Sequence, residues 1–224
     1  MRQSLFSRLA GYEDLNDAQR LRVDPAMRAV VGGRARDQTA ASTSEIGRFE
    51  TDTLTTRENL SRLMDLTGEW VGRVHRHRKL TRIVLDMDSS VSETYGQQQG
   101  SAYNGHFGCT CYHPLFVFNQ FGDLERVMLR RGNQHSAKFW RRVLLPVIEC
   151  YRGLDIPKFF RGNAAFAGPK PLRLLEREGF RYAIRIKSNA VLERKIAPWL
   201  KRPVGRPSRK PKVFYYNLRY RAGS

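Results

Sequence analysis

The chain has 224 residues, 41% of them hydrophobic, and carries 40 Lys and Arg against 21 Asp and Glu, a formal net charge of +19. This length suffices for one good core, or for one domain with a helical extension. The negative mean hydropathy, and the lack of any apolar run near the roughly 18 residues that a spanning helix needs, argue against a membrane protein.

The N-terminal M-R-Q-S-L-F-S-R-L-A-G-Y-E-D has no long apolar core and soon meets acids, which argues against a secretory signal. The positive charge is uneven. From Pro157 to Ser224 there are 18 basic and 3 acidic residues, net +15, whereas the first 156 residues carry net +4. A local field of that size suits a polyanion, because each neutralised phosphate releases condensed counterions. A ribosomal or membrane-surface role would need similar charge, so charge alone does not choose the partner. Three cysteines make no disulfide framework and point to a reduced, cytosolic setting.

Residues 1–80 are expected to be mainly helical. Asp14-Leu15-Asn16-Asp17-Ala18 can start a helix, and Leu9 to Val31 serves either recognition or packing, with packing favoured. Gly32 to Gly47, rich in Gly, Ala, Ser and Thr, is expected as a loop. Thr55 followed by Glu58 fits a capping box. Leu60, Leu63, Met64, Leu66, Val71 and Val74 then form an apolar helical stripe.

The pattern changes at residue 82. Arg82 to Asp88 reads as a strand, and the polar, Gly-rich stretch 92–105 as a loop. Tyr112 to Asn119 and Leu124 to Arg130 form a hairpin across Gln120-Phe121-Gly122-Asp123. A helix over Ser136 to Tyr151 presents Phe139, Val143, Val147 and Tyr151 on one face, with a kink at Pro146. Lys158 to Arg161 is a strand. Pro169 begins a helix that Gly179 ends. Tyr182 to Ile186 is a fifth strand. A basic, Pro-punctuated link leads to a last strand, Val213 to Tyr220. This order fits an α/β mixed sheet with flanking helices, and it is the order of the RNase H-like fold.

Four zinc-type ligands, His106, Cys109, Cys111 and His113, lie within eight residues. C-x-C is tight for a structural site, and the flanking aromatics read as a strand entering a core. Asp86 and Asp88 are the stronger candidates. Alternation places both on one strand face with Met87 on the other. Paired carboxylates are costly unless a cation relieves them, and clustered carboxylates holding two divalent ions are the usual device for phosphodiester chemistry. The alternative is that one Asp caps the turn at Ser89 and Ser90.

The run I-V-L-D-M-D-S-S-V-S-E-T-Y-G-Q-Q-Q-G-S-A-Y-N-G-H-F-G-C-T-C-Y-H-P-L resembles the first catalytic strand and following segment of bacterial insertion-sequence DDE transposases. R-G-N-Q-H-S-A, F-F-R-G-N-A-A-F-A and K-R-P-V-G-R-P continue the resemblance, which covers roughly residues 10 to 224. It implies an RNase H-like catalytic core over 81–190, partial in extent, after a helical region 1–80 that can bind DNA. Residues 191–224 would form a basic linker and the start of an inserted β-region. It also implies Mg2+ (or Mn2+) dependence, cut-and-join transposition on double-stranded DNA, self-association on that DNA, and a cytoplasmic, nucleoid-associated protein with no membrane partner.

By the same resemblance, Asp88 is the first catalytic and metal-binding carboxylate, with Asp86 second choice or support. The second carboxylate position is Asn163, whose amide offers a metal one neutral oxygen and no charge. The final glutamate falls in a helix beyond the inserted region, so the chain reads as truncated, and Glu176, Glu178 and Glu193 come too early to replace it. The expectation is an impaired transposase; the alternative is a catalytically dead, DNA-binding remnant. Tyr103, His106 and Gln97–Gln99 are candidates for touching DNA ends. Arg161, Lys201, Arg202, Arg206, Arg209 and Lys210 are the candidate DNA-contacting cations, the last five within a G-R-P segment suited to a narrow minor groove.

Overall fold

The computed structural model describes residues 1–200, 204–206, 210–211 and 213–220. The first 80 residues form a succession of helices: α1 (Arg2–Leu9), α2 (Ala18–Leu21), α3 (Pro25–Val31), α4 (Arg34–Asp37), α5 (Thr43–Arg48) and the long α6 (Arg57–His77). Short polar side chains cap α3, α5 and α6. The Asp24 carboxylate accepts from the Met27 amide at 2.7 Å, with Pro25 in the first turn of α3. Ala18, Leu21, Met27, Ala35, Ala40 and Ile46 are buried among these helices. Leu9 and Val30, which would belong to a recognition face, are exposed.

Two expectations for this region change. The stretch 32–47 holds α4 and the start of α5, and the capping box is Ser42 with Glu45. Thr56, not Thr55, caps α6 by accepting from the Asn59 amide, while the Thr55 hydroxyl donates to the Thr51 carbonyl.

The core is a five-stranded mixed sheet in the order β6-β5-β1-β7-β8, from β1 (Ile83–Ser89), β5 (Leu115–Phe118), β6 (Leu124–Met128), β7 (Lys158–Gly162) and β8 (Phe180–Ile184). β1 pairs antiparallel with β5 and parallel with β7; β5 and β6 form the antiparallel hairpin, and β7 and β8 are parallel. Alternation decides the faces. Ile83, Leu85, Met87, Leu115, Val117 and Phe160 are buried against α7 (Trp140–Tyr151) and α8 (Pro169–Arg177). The helices bring Val143, Leu144, Val147, Ile148, Tyr151, Leu174 and Leu175 to the same core.

α7 starts four residues later than the expected Ser136. The buried Arg130 guanidinium donates to the His135, Ser136 and Lys138 carbonyls at 3.2, 2.9 and 2.7 Å. The Trp140 and Arg142 amides bond the Ala137 and Phe139 carbonyls rather than those of Ser136 and Lys138, and Phe139 takes a left-handed conformation (φ 61°) just before Trp140. Burial pushes the Arg130 pKa down to about 10.

The stretch 92–105, expected as a loop, contributes β2 (Ser92–Glu93) and β3 (Ala102–Asn104), which flank β4 (Cys109–Tyr112) in a second, antiparallel sheet. This small sheet rests on the R-G-N-Q segment. A Cβ on Gly132 would meet the Ala102 and Cys111 carbonyl oxygens at 2.4 Å, so only glycine allows the approach. β8 begins at Phe180, two residues early, because Phe180 is buried and pairs with Lys158. After it comes an unanticipated helix, α9 (Ala190–Ile196), capped by Asn189. Val213 to Tyr220, expected as a strand, pairs with no strand among the described residues. No helix among them is long and apolar enough to cross a membrane.

Candidate active site

Parallel pairing of β1 with β7 sets Asp86 opposite Arg161 and Met87 opposite Gly162, one residue before Asn163. On the other side, β5 sets Asp86 opposite Phe118 and Asp88 opposite Phe116. Asp86, Asp88, Phe116, Phe118 and Arg161 therefore share the sheet face turned away from α7 and α8. Phe116 and Phe118 stack with ring centroids 5.7 Å apart.

Asp88, the last residue but one of β1, is exposed. Its Oδ1 accepts from the Ser89 amide at 2.8 Å and from the Asn163 side-chain Nδ2, also at 2.8 Å. The Asn163 Oδ1 accepts in turn from the Ala165 amide at 2.9 Å, capping a short 3₁₀ turn after β7. These two bonds orient the amide, with its NH2 toward Asp88. Asp86 is held differently. Both its oxygens accept from the Arg161 guanidinium in a fork. The carboxylate raises the Arg161 pKa, first through that hydrogen bond and then through its charge.

The sequence thus names both carboxylates and Asn163, and the fold brings all three to the same end of adjoining parallel strands. It also joins Arg161 to Asp86, a pairing the sequence does not announce because the two lie 75 residues apart. Tyr103 is exposed on the small sheet that follows β1. Among the described residues, no group of three or more His, Cys, Asp or Glu is arranged to hold a metal ion. This covers the H-F-G-C-T-C-Y-H segment, where Cys109 and Cys111 are free thiols and the His113 ring contacts the Gln134 carbonyl at 2.8 Å. Glu176 accepts from Tyr182 and Glu178 from Arg152. Arg206 and Lys210 are exposed; Lys201, Arg202 and Arg209 lie outside the described residues.

The donor set of this site, as arranged, does not fit a pair of divalent ions. Asp86 is neutralised by a guanidinium, Asn163 directs N–H bonds rather than its oxygen at Asp88, and one Asp88 oxygen already accepts two bonds. A cation meets one free carboxylate oxygen and the hydrogen side of an amide.

A mixed sheet of this order, with a carboxylate at the end of its central strand beside a parallel neighbour, is an RNase H-like core. The chain belongs to the Transposase DDE domain group 1 family, which matches residues 1–224. No curated protein sequence matches it. Among solved structures it is similar to the catalytic domain of the Mos1 mariner transposase, at 10% identity over 60% of this chain and 63% of that one, with a TM-score of 0.34. A piggyBac transposase in a synaptic complex with hairpin DNA is 16% identical over 92% of this chain and 45% of that one, at 0.40. The Drosophila P element transposase in its strand transfer complex is 10% identical over 83% and 45%, at 0.34. The chain therefore spans less than two thirds of each of these chains.

Proposed function

We propose that this chain is a DNA-binding transposase domain whose cleavage and strand-transfer centre is built on Asp88 and impaired by Asn163. Its substrate would be the double-stranded ends of a mobile element of the bacterial insertion-sequence type, engaged with a second copy in the cytoplasm. The observation that carries this reading is the 2.8 Å hydrogen bond from the Asn163 amide to Asp88, at the position the sequence resemblance gives to the second carboxylate. Where two carboxylates would draw in a divalent cation, an amide N–H satisfies the single carboxylate instead.

The charge supports the DNA-binding half. The +19 net charge supplies a field for phosphate, and Arg206 and Lys210 are exposed in the segment of highest basic density. Mg2+ or Mn2+ is the ion this family reading calls for, and the present donor set would hold it weakly. A catalytically dead DNA-binding remnant is the limit of the same reading, reached when divalent-ion affinity falls to nothing.

The test is a plasmid-cleavage assay in Mg2+ or Mn2+ with wild type, Asn163→Asp and Asp88→Ala. The expected result is binding without cleavage by wild type, and nicking by Asn163→Asp that is lost when Asp88→Ala is added. Robust cleavage by wild type that disappears in Asp88→Ala would overturn the impairment.

A further inference from the structure

Where the N-terminal half of α6 meets β6 and the approach to α7, the surface holds a groove of about 690 Å3. Its walls are apolar. α6 supplies Leu60, Leu63 and Met64, β6 ends on Met128 with Leu129 next to it, and Phe139 stands just before α7. Leu60, Leu63, Leu129 and Phe139 remain between 38% and 66% exposed. The volume lies in the range of about 300–1,000 Å3 that takes a small organic molecule.

The charges lining the groove have one sign. Arg130, Arg131 and Arg142 line it, and among the described residues no Asp or Glu does. None of the three arginines belongs to an ion pair among those residues. Arg131 and Arg142 are exposed, whereas Arg130 is only 4% exposed. The Arg130 Nε and Nη1 donate to backbone carbonyls, and its Nη2 has no partner. Carbonyl dipoles solvate this cation and leave its charge whole, so burial alone lowers its pKa. A guanidinium buried without a carboxylate projects its field into the adjoining groove. Positive charge also borders the apolar wall directly. The Lys138 ammonium and the Arg142 guanidinium each lie 5.2 Å from the centroid of the Phe139 ring.

These two properties together select the ligand. An inorganic anion, or the phosphate of a duplex, would answer the arginines and leave the apolar walls in water. A neutral oil would cover the walls and leave the cations unanswered. An anionic group on an apolar chain answers both, and a carboxylate matches the planar fork of an arginine with two parallel N–H bonds.

We propose that this groove binds an amphipathic acyl carboxylate, its chain along Leu60, Leu63, Met64 and Met128 and its headgroup held by Arg131 and Arg142 in the field of Arg130. The site shares no residue with Asp86, Asp88, Arg161 or Asn163, so its occupancy is measured without DNA and without cleavage.

The test is calorimetric titration of the full-length chain with dodecanoate, below its micelle concentration and at physiological salt. Wild type is expected to bind dodecanoate saturably, and to bind dodecanol and dodecyltrimethylammonium far more weakly. Arg131→Glu and Arg142→Glu are each expected to weaken dodecanoate by about tenfold or more, and Leu63→Asp, which sets an acid in the apolar wall, to do the same. Arg173→Glu makes the same charge change on α8, outside the groove, and is expected to leave the affinity unchanged. All four positions are exposed, and circular dichroism checks that each variant folds. Absence of saturable dodecanoate binding by wild type overturns the proposal, as does equal binding of dodecanol. So does a loss in Arg173→Glu as large as in Arg142→Glu, which would make net charge alone responsible. An Arg142→Glu chain that keeps dodecanoate and loses duplex DNA would assign that arginine to nucleic acid, and also overturns it.

Discussion

Asn163 donates its side-chain amide to Asp88 at 2.8 Å, across the adjoining ends of two parallel strands. The bond joins a carboxylate at the end of β1 to the residue that caps the turn after β7. Its chemistry explains both why the site is stable without a cation and why it is a poor one for a cation.

Asn163→Asp should replace an attractive contact with two facing carboxylates. The repulsion between unit charges 4 Å apart is about 1 kcal/mol in water, a fair scale for this exposed pair. The variant is expected to melt below wild type in chelator and to gain Tm on adding Mn2+, while wild type gains little. A thermal scan with and without the ion checks this, and equal Mn2+ responses in the two proteins would sink it.

Asp86→Ala should release the Arg161 guanidinium, now held by both Asp86 oxygens. If this face meets DNA, as proposed, the freed cation adds one phosphate contact. DNA affinity should then rise, and the slope of log K against log salt should steepen by about 0.9. Titration by fluorescence anisotropy at several salt concentrations measures it. An unchanged slope would place Arg161 away from the DNA.

Glu125 is buried and its Oε1 accepts from Tyr151 at 2.6 Å and from Asn119 at 2.9 Å. Burial raises its pKa above the ordinary 4.5, more than those two bonds lower it. The folded state therefore holds this proton more tightly than the unfolded chain. Its contribution is fully present below pH 4.5 and is lost as pH rises through the raised folded value. Glu125→Gln keeps an oxygen for both donors and removes the charge. Denaturant titrations should show the variant gaining on wild type as pH rises from 4 to 8; a constant difference would refute the assignment.

Gly68→Ala should destabilise the fold by about 1–3 kcal/mol, the usual cost of forcing extra volume into a packed contact. The added carbon meets the Glu125 backbone oxygen, which cannot swing aside. Gly72→Ala, with open space around its site, should be neutral or slightly stabilising through helix propensity. Urea midpoints of the two variants give a direct comparison.

The amino-acid sequence by itself determined what local pattern encodes. The period-two alternation of Ile83 to Asp88 places the two Asp on one face, the Gln120–Asp123 turn makes the hairpin, and the four-residue repeat of Val143, Val147 and Tyr151 gives the inner face of α7. It also named Asp88 and Asn163 as candidates, because the motifs that carry the family resemblance are contiguous. Tertiary structure alone decided the rest. β2 and β3 are short and polar, and exist because β4 lies between them and Gly132 lets the sheet approach. The start of α7 follows a turn held by Arg130, a residue outside the helix that bonds the Ser136 and Lys138 carbonyls just before it. The outer stripe of α6 reads as core in sequence, since periodicity marks an apolar face without saying what covers it; only packing on β6 through Gly68 turns Leu60, Leu63 and Trp70 outward. Likewise, two carboxylates and an amide become a site with one paired Asp and one amide-bound Asp only when parallel β1 and β7 set Arg161 beside Asp86 and Asn163 beside Asp88.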